Sequence, residues 1–247
     1  MPKYELSFAT HLLNAPGFLG FAPDQRGPID LSRLGAFITN PVSLRARSPA
    51  HSRRCLVFPG GFLLHTGHPN PGIRQVIRRH AASWGRSPLP VLVHLLAENP
   101  AEVSDMVKRL ETVEGVMGVE VGIPPGCDRQ SALALSQAAV GELPVIVRLP
   151  FEAAAEFAPA FASLPIAAIS LGAPRGALPD PQGNLVRGRL YGPATFPLAL
   201  AAIQSMVKSG LPVIAAGGVY SPQDADAMLA AGAMGVQLDA VLWLGGW

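Results

Sequence analysis

The stretch from Leu211 to Ala240, LPVIAAGGVYSPQDADAMLAAGAMGVQLDA, reads as one complete strand, helix and strand unit, and it limits what the chain can fold into. Leu211 to Ala216 is a short apolar run suited to a strand buried on both faces, and Gly217-Gly218 ends it abruptly. Ser221 is a good N-cap, Pro222 sits where a missing N–H is harmless, and Asp224 falls in the first turn of the helix that follows. Gly232 stops that helix, and Met234 to Leu238 makes a second buried strand. The two strands are therefore expected to be parallel neighbours joined by a right-handed crossover. A glycine pair at the carboxyl end of such a strand lets backbone N–H groups approach an anion closely. The same pair also serves a plain tight turn, so it does not settle the matter alone.

Strand signals recur along the chain with helical signals between them. Leu12 to Ala15, Ala36 to Thr39, Val91 to Leu96, Val116 to Val121, Val145 to Leu149, Ile166 to Leu171, Val213 to Ala216 and Gly235 to Leu238 read as eight strands. Asn70-Pro71 opens a helix whose Ile73, Val76, Ile77, His80 and Trp84 share a face, and Asn99-Pro100 opens another with Glu102 completing a capping-box-like start. Further helices fit Arg129 to Val140, Phe151 to Ser163 and Pro193 to Lys208. Eight such units predict a closed (β/α)₈ barrel, and 247 residues match the roughly 250 typical of one, so residues 1–247 are expected to form a single domain.

Two segments exceed a simple connection. Asn40 to Asn70 is expected to hold an extra hairpin, with strands at Cys55 to Phe58 and Phe62 to Leu64. Gly172 to Leu190 shows no periodicity and reads as a long functional loop. Only Val241 to Trp247 follows the eighth strand, which predicts a truncated eighth helix. Trp243, Leu244 and Trp247 would then leave apolar surface for a second copy or a partner subunit, unless Met1 to Phe8 covers it.

Hydrophobic residues make up 49% and charged residues 15%, which excludes a disordered or strongly nucleic-acid-binding chain and predicts a large core. No apolar run reaches the roughly 18 residues needed to span a bilayer, so a cytoplasmic location is expected. Cys55 and Cys127 lack metal-like spacing. Between Arg45 and Arg86 lie eight arginines, four of the six histidines and no acidic residue, a distribution that attracts an anionic ligand unless other elements supply the counter-charges. His65-Thr66-Gly67-His68 with His94 has no placed carboxylate, so no metal site is expected there. In VEV, strand alternation aims Glu120 inward, either as an acid–base group or as the buried partner of Arg148.

The order of motifs resembles the dihydroorotate dehydrogenase family, FMN-dependent barrel enzymes. Asn14-Ala15-Pro16-Gly17 is similar to that family's first-strand segment beside the flavin, and GAFITNPVSLRAR from Gly35 is similar to its second. Gly67 to Asn70 and Arg175 to Asp180 match in part, and YGPATFPLAL from Tyr191, with the final VIAAGGV and AGAMGVQLDA, matches more specifically. The resemblance implies FMN as cofactor, with Ala15, Gly17, Asn40, Arg148, Gly192, Gly217, Gly218, Asp239 and Ala240 as the residues around it.

The departures fall on the chemistry. Where the family carries an asparagine, a cysteine or serine base and Pro-Asn, VEVGIPP places Glu120, Ile123, Pro124 and Pro125, and Ile123 cannot take a proton. The second-strand lysine is Asn40, and substrate asparagines become Leu64 and Gly172. A polar substrate would leave groups unpaired there at about 1–3 kcal/mol each, so dihydroorotate is not the expected substrate. Arg148 replaces a lysine beside the flavin and can still stabilise negative charge. Asp239 stands at the phosphate position, where it would repel that group by a few kcal/mol, about what unit charges feel at an effective dielectric near 20; it could instead cap the terminal helix and occupy the anion position from within. The expected activity is FMN-dependent oxidation of another substrate. The alternatives are a non-catalytic binding or assembly subunit and a flavin-free barrel that binds a phosphorylated metabolite.

Overall fold

The computed structural model describes residues 5–27, 29–51, 55–96 and 98–244. Eight parallel strands, β1 (Leu12–Asn14), β2 (Phe37–Ile38), β5 (Val91–Leu96), β6 (Val116–Gly122), β7 (Val145–Leu149), β8 (Ala168–Leu171), β11 (Val213–Ala216) and β12 (Gly235–Leu238), lie in the order β1-β12-β11-β8-β7-β6-β5-β2. A parallel bridge between Leu13 and Ala36 joins the two ends and closes the barrel. The connections carry α1 (Ile73–Trp84), α2 (Pro100–Leu110), α3 (Arg129–Ala138), α4 (Ala154–Phe161), α5 (Phe196–Met206) and α6 (Pro222–Ala230). The first connection carries only a three-residue 3₁₀ turn, Leu31–Arg33, and the last strand is followed by the 3₁₀ turn Ala240–Leu244. The α/β barrel is thus observed, whereas among the described residues the first of the eight units has no α-helix.

Local chemistry explains the helix starts. Ser221 Oγ accepts from Asp224 N while the Asp224 carboxylate accepts from Ser221 N, a complete capping box. Asn99 accepts from Glu102 N at 3.0 Å, the forward half of such a box. Asn70 does not open α1 as expected; Gly72 is the N-cap, and Asn70 Oδ1 instead accepts from Ser43 and Gly72, tying β2's loop to the helix start.

Residues 172–190 are a further correction. They contain β9 (Arg175–Pro179) and most of β10 (Leu185–Tyr191), which pair with the predicted hairpin of β3 (Cys55–Phe58) and β4 (Gly61–Leu64) in an antiparallel sheet ordered β3-β4-β10-β9. Asp180 Oδ1 accepts from Gln182 N and Asn184 N, an Asx-type turn that closes β9 onto β10. This small sheet stands over the strands' carboxyl ends and walls the mouth.

Inside the barrel, alternation sorts the side chains into layers. Leu13, Ala36, Ile38, Leu92, Ile146, Ala168 and Ile214 fill the lower interior and are fully buried. Register then places His94 beside Glu120, Gly122 beside Arg148 and Arg148 beside Ser170, so the next layer up is polar. Trp243 and Leu244 are 52% and 72% exposed, although Trp243 Nε1 donates to Phe18 O at 3.0 Å and its ring lies 4.7 Å from Phe18. Trp247 and Met1 to Tyr4 lie outside the described residues.

Candidate functional site at the barrel mouth

Glu120, fully buried, is the centre of the polar layer. Its Oε2 meets His94 Nδ1 at 2.6 Å, and its Oε1 accepts from Ser170 Oγ and Gln237 Nε2, each at 2.7 Å. Arg148 Nη1 lies 3.7 Å from Oε1 and donates to Gln237 Oε1. Burial pushes this carboxyl up, but the Arg148 guanidinium, His94 and Ser170 together hold it down at about 2. Burial also lowers His94, more than Glu120 raises it, so the imidazole is neutral. The pair is then a hydrogen bond in which Nδ1–H donates to an ionised carboxylate. His94 lines the mouth cavity with Nε2 left to accept a proton, the first element of a general base.

Above this layer opens a cavity of about 460 Å³, walled by the ends of the barrel strands on one side and by β4, β9 and β10 on the other. Four arginines line it: Arg47, Arg148, Arg175 and Arg189. Arg47 meets Glu98 at 2.5 Å, and Arg148 is matched from beneath by Glu120. Arg189, projecting from β10, has no carboxylate partner among the described residues; it donates to His68, and its buried Nε has no hydrogen-bond partner there. Burial, then the charge of Arg189, push the His68 imidazole down to about 2, so His68 is the neutral acceptor of that bond. Among the described residues His68 is the one non-glycine at positive φ, 52°, held by Thr66 Oγ1 accepting from its N–H and by Asn70 Nδ2 donating to its C=O. A backbone strained in this way at a cavity wall is the pattern of a functional site.

The residues that the sequence pointed to divide into two groups. Gly17, Asn40 and Arg148 line the cavity, with Asn40 Oδ1 also accepting from Gly20 N at 3.1 Å. Ala15, Gly192, Gly217, Gly218, Asp239 and Ala240 lie off its wall. Gly217 and Gly218 have φ of 109° and 71°, the left-handed turn expected at the end of β11. The Asp239 carboxylate accepts from Ala240 N at 2.6 Å, and the N–H groups of Gly218 and Val241 are near enough to favour its charged form. It is 4% exposed, and burial pushes it up to about 6. A buried carboxylate already occupies the corner where the resemblance puts a flavin phosphate, and a second negative group does not fit beside it. Arg189, His68, His94, Ser170 and Gln237 were missed as site residues. The strand alternation that drew out Glu120 applies equally to VLVHLL, AISL and GVQL, and would have found the last three.

No protein-family model matches the chain. Along 94% of its length it is 27% identical to the catalytic subunit of dihydroorotate dehydrogenase B (NAD(+)) from Pelobacter propionicus, covering 84% of that protein. It is 29% identical to the same subunit from Maridesulfovibrio salexigens, with 94% and 84% covered. Among solved structures, DHODH from Eimeria tenella in complex with ferulenol superposes with a TM-score of 0.74 at 14% identity, covering 96% of this chain and 79% of that one. The chain is thus similar in sequence, along nearly its whole length, to proteins named dihydroorotate dehydrogenase, and it shares the barrel fold of one solved structure.

Proposed function

We propose that the chain binds a small carboxylate- or phosphate-bearing molecule in its mouth cavity and does not oxidise dihydroorotate. The observation that carries this reading is Arg189, a guanidinium on the cavity wall that has a neutral imidazole where a carboxylate would be expected. Arg189 is half-buried with its Nε withdrawn from solvent, a position in which an anion arriving from solution supplies a favourable counter-charge. Ile123, 6% exposed, presents only carbon to the cavity at the place where the resemblance puts a catalytic base.

Two measurements test this. Malonate, succinate, citrate and inorganic phosphate are screened by thermal unfolding, and at about a hundred times its dissociation constant a true ligand raises the midpoint by roughly 5–10 °C in a chain of this length. A panel in which no anion moves the midpoint would remove the proposal. In parallel, dihydroorotate with NAD, fumarate or a quinone is expected to give no orotate, and flavin-dependent orotate formation would contradict the second half of the proposal.

A second reading, an FMN-dependent oxidoreductase acting on a different substrate, draws support from the full-length similarity to proteins named dehydrogenases. The visible spectrum of freshly purified protein separates the two readings, since bound flavin is yellow.

A further inference from the structure

The turn between β11 and α6 and the end of β12 lie side by side, and both are short of side chains. Gly217 and Gly218 take left-handed conformations, and their strand is hydrogen-bonded in parallel to β12, which delivers Asp239 to the same corner. The Ala240 N–H points into that corner, and the N–H groups of Gly218 and Val241 lie near it, which makes the corner suitable for an oxyanion. The chain itself provides that oxyanion. The Asp239 carboxylate accepts from Ala240 N at 2.6 Å, it is buried, and the wall of the mouth cavity includes none of Gly217, Gly218, Asp239 or Ala240. The 3₁₀ turn that follows is held down by Trp243, whose Nε1 donates to Phe18 O and whose ring rests against Phe18 and Phe62.

We propose that Asp239 closes this glycine corner from within, standing where a ligand's phosphate would otherwise bind, so that the barrel does not hold FMN through its phosphate. Two negative groups do not fit side by side in so buried a corner. A phosphate could enter only by displacing the carboxylate from the Ala240 N–H. The inference is independent of whether the mouth binds an anion, because the arginine-lined cavity does not include this corner.

The test uses the full-length protein and compares FMN with riboflavin, which differ only in the phosphate, by quenching of flavin fluorescence. The wild type is expected to purify colourless and to bind FMN no more tightly than riboflavin. Asp239→Gly removes the carboxylate and frees the Ala240 N–H, and is expected to prefer FMN over riboflavin by about tenfold or more, the scale of one charge-assisted hydrogen bond. Asp239→Asn keeps the shape and an accepting oxygen, and is expected to behave as the wild type. Circular dichroism checks folding, and Asp239→Ser carries the comparison if the glycine variant does not fold. Stoichiometric FMN in the purified wild type would overturn the inference. So would folded Asp239→Gly or Asp239→Ser protein that gains no preference for FMN.

Discussion

Replacing Glu120 with alanine is expected to destabilise the protein by about 3–5 kcal/mol, the range found when one member of a buried ion pair is removed. Arg148 loses its counter-charge, and His94 Nδ1, Ser170 Oγ and Gln237 Nε2 lose their shared acceptor. Nothing from the apolar layer beneath, built of Ile146 and its neighbours, can replace those bonds. Urea unfolding of Glu120→Ala beside the wild type measures the loss, and a difference below about 1 kcal/mol, the size of a surface pair, would show that the network is not the polar core described. The same carboxylate gives the stability a definite pH dependence. Its pKa falls from 4.5 to about 2 on folding, so its contribution is fully present above pH 4.5 and is lost as pH falls through 2. The stability gap between wild type and Glu120→Gln is therefore expected to stay level from neutral pH to about 5 and to narrow below that.

At Gly218, substitution by alanine is expected to cost about 2–5 kcal/mol or to prevent folding. The left-handed φ of 71° contributes about 1–2 kcal/mol for any residue with a Cβ. A methyl group there would also lie 2.7 Å from Phe196 Cα and closer still to Phe196 N, and that backbone begins α5 and cannot move aside cheaply. Gly210 separates the two effects, because it has φ 78° and nothing within 4 Å of a Cβ. Gly210→Ala is expected to show the backbone part alone, about 1–2 kcal/mol. Equal losses at the two positions by urea unfolding would mean that the close packing of the glycine corner against α5 has no energetic weight.

Much of the frame was legible because buried parallel strands are written as unbroken apolar runs. Val91 to Leu96, Val145 to Leu149, Val213 to Ala216 and Gly235 to Leu238 were read to the residue, and Ser221-Pro222 and Asn99-Pro100 named their helix starts by side-chain chemistry. Strands β9 and β10 were not read, since each is half exposed and interrupted by Gly176 and Gly188, where a Cβ would crowd Leu190 and Leu63. That miss hid Arg189, whose place on the cavity wall depends on pairing across to Leu64. His68 was visible only as one member of an H-x-x-H spacing, and no local signal distinguishes a metal ligand from a neutral acceptor for an arginine 121 positions away. Glu120 was legible as an inward carboxylate; its two alternative roles could be weighed only when the register placed His94, Ser170 and Gln237 around it.

The central claim, that an anion from solution completes Arg189, is tested most directly by calorimetric titration of the strongest ligand from the thermal screen into three full-length proteins. These are the wild type, Arg189→Met and Lys208→Met, the last removing the same charge from an exposed position just ahead of β11, at the opposite end of the barrel. Affinity is predicted to fall by about tenfold or more in Arg189→Met, since a hydrogen bond to a charged group contributes about 1.5–3 kcal/mol, and by less than about twofold in Lys208→Met. Without ligand, Arg189→Met is predicted to be at least as stable as the wild type, because it removes a half-buried cation that has no carboxylate partner among the described residues. Equal affinity in wild type and Arg189→Met would contradict the account.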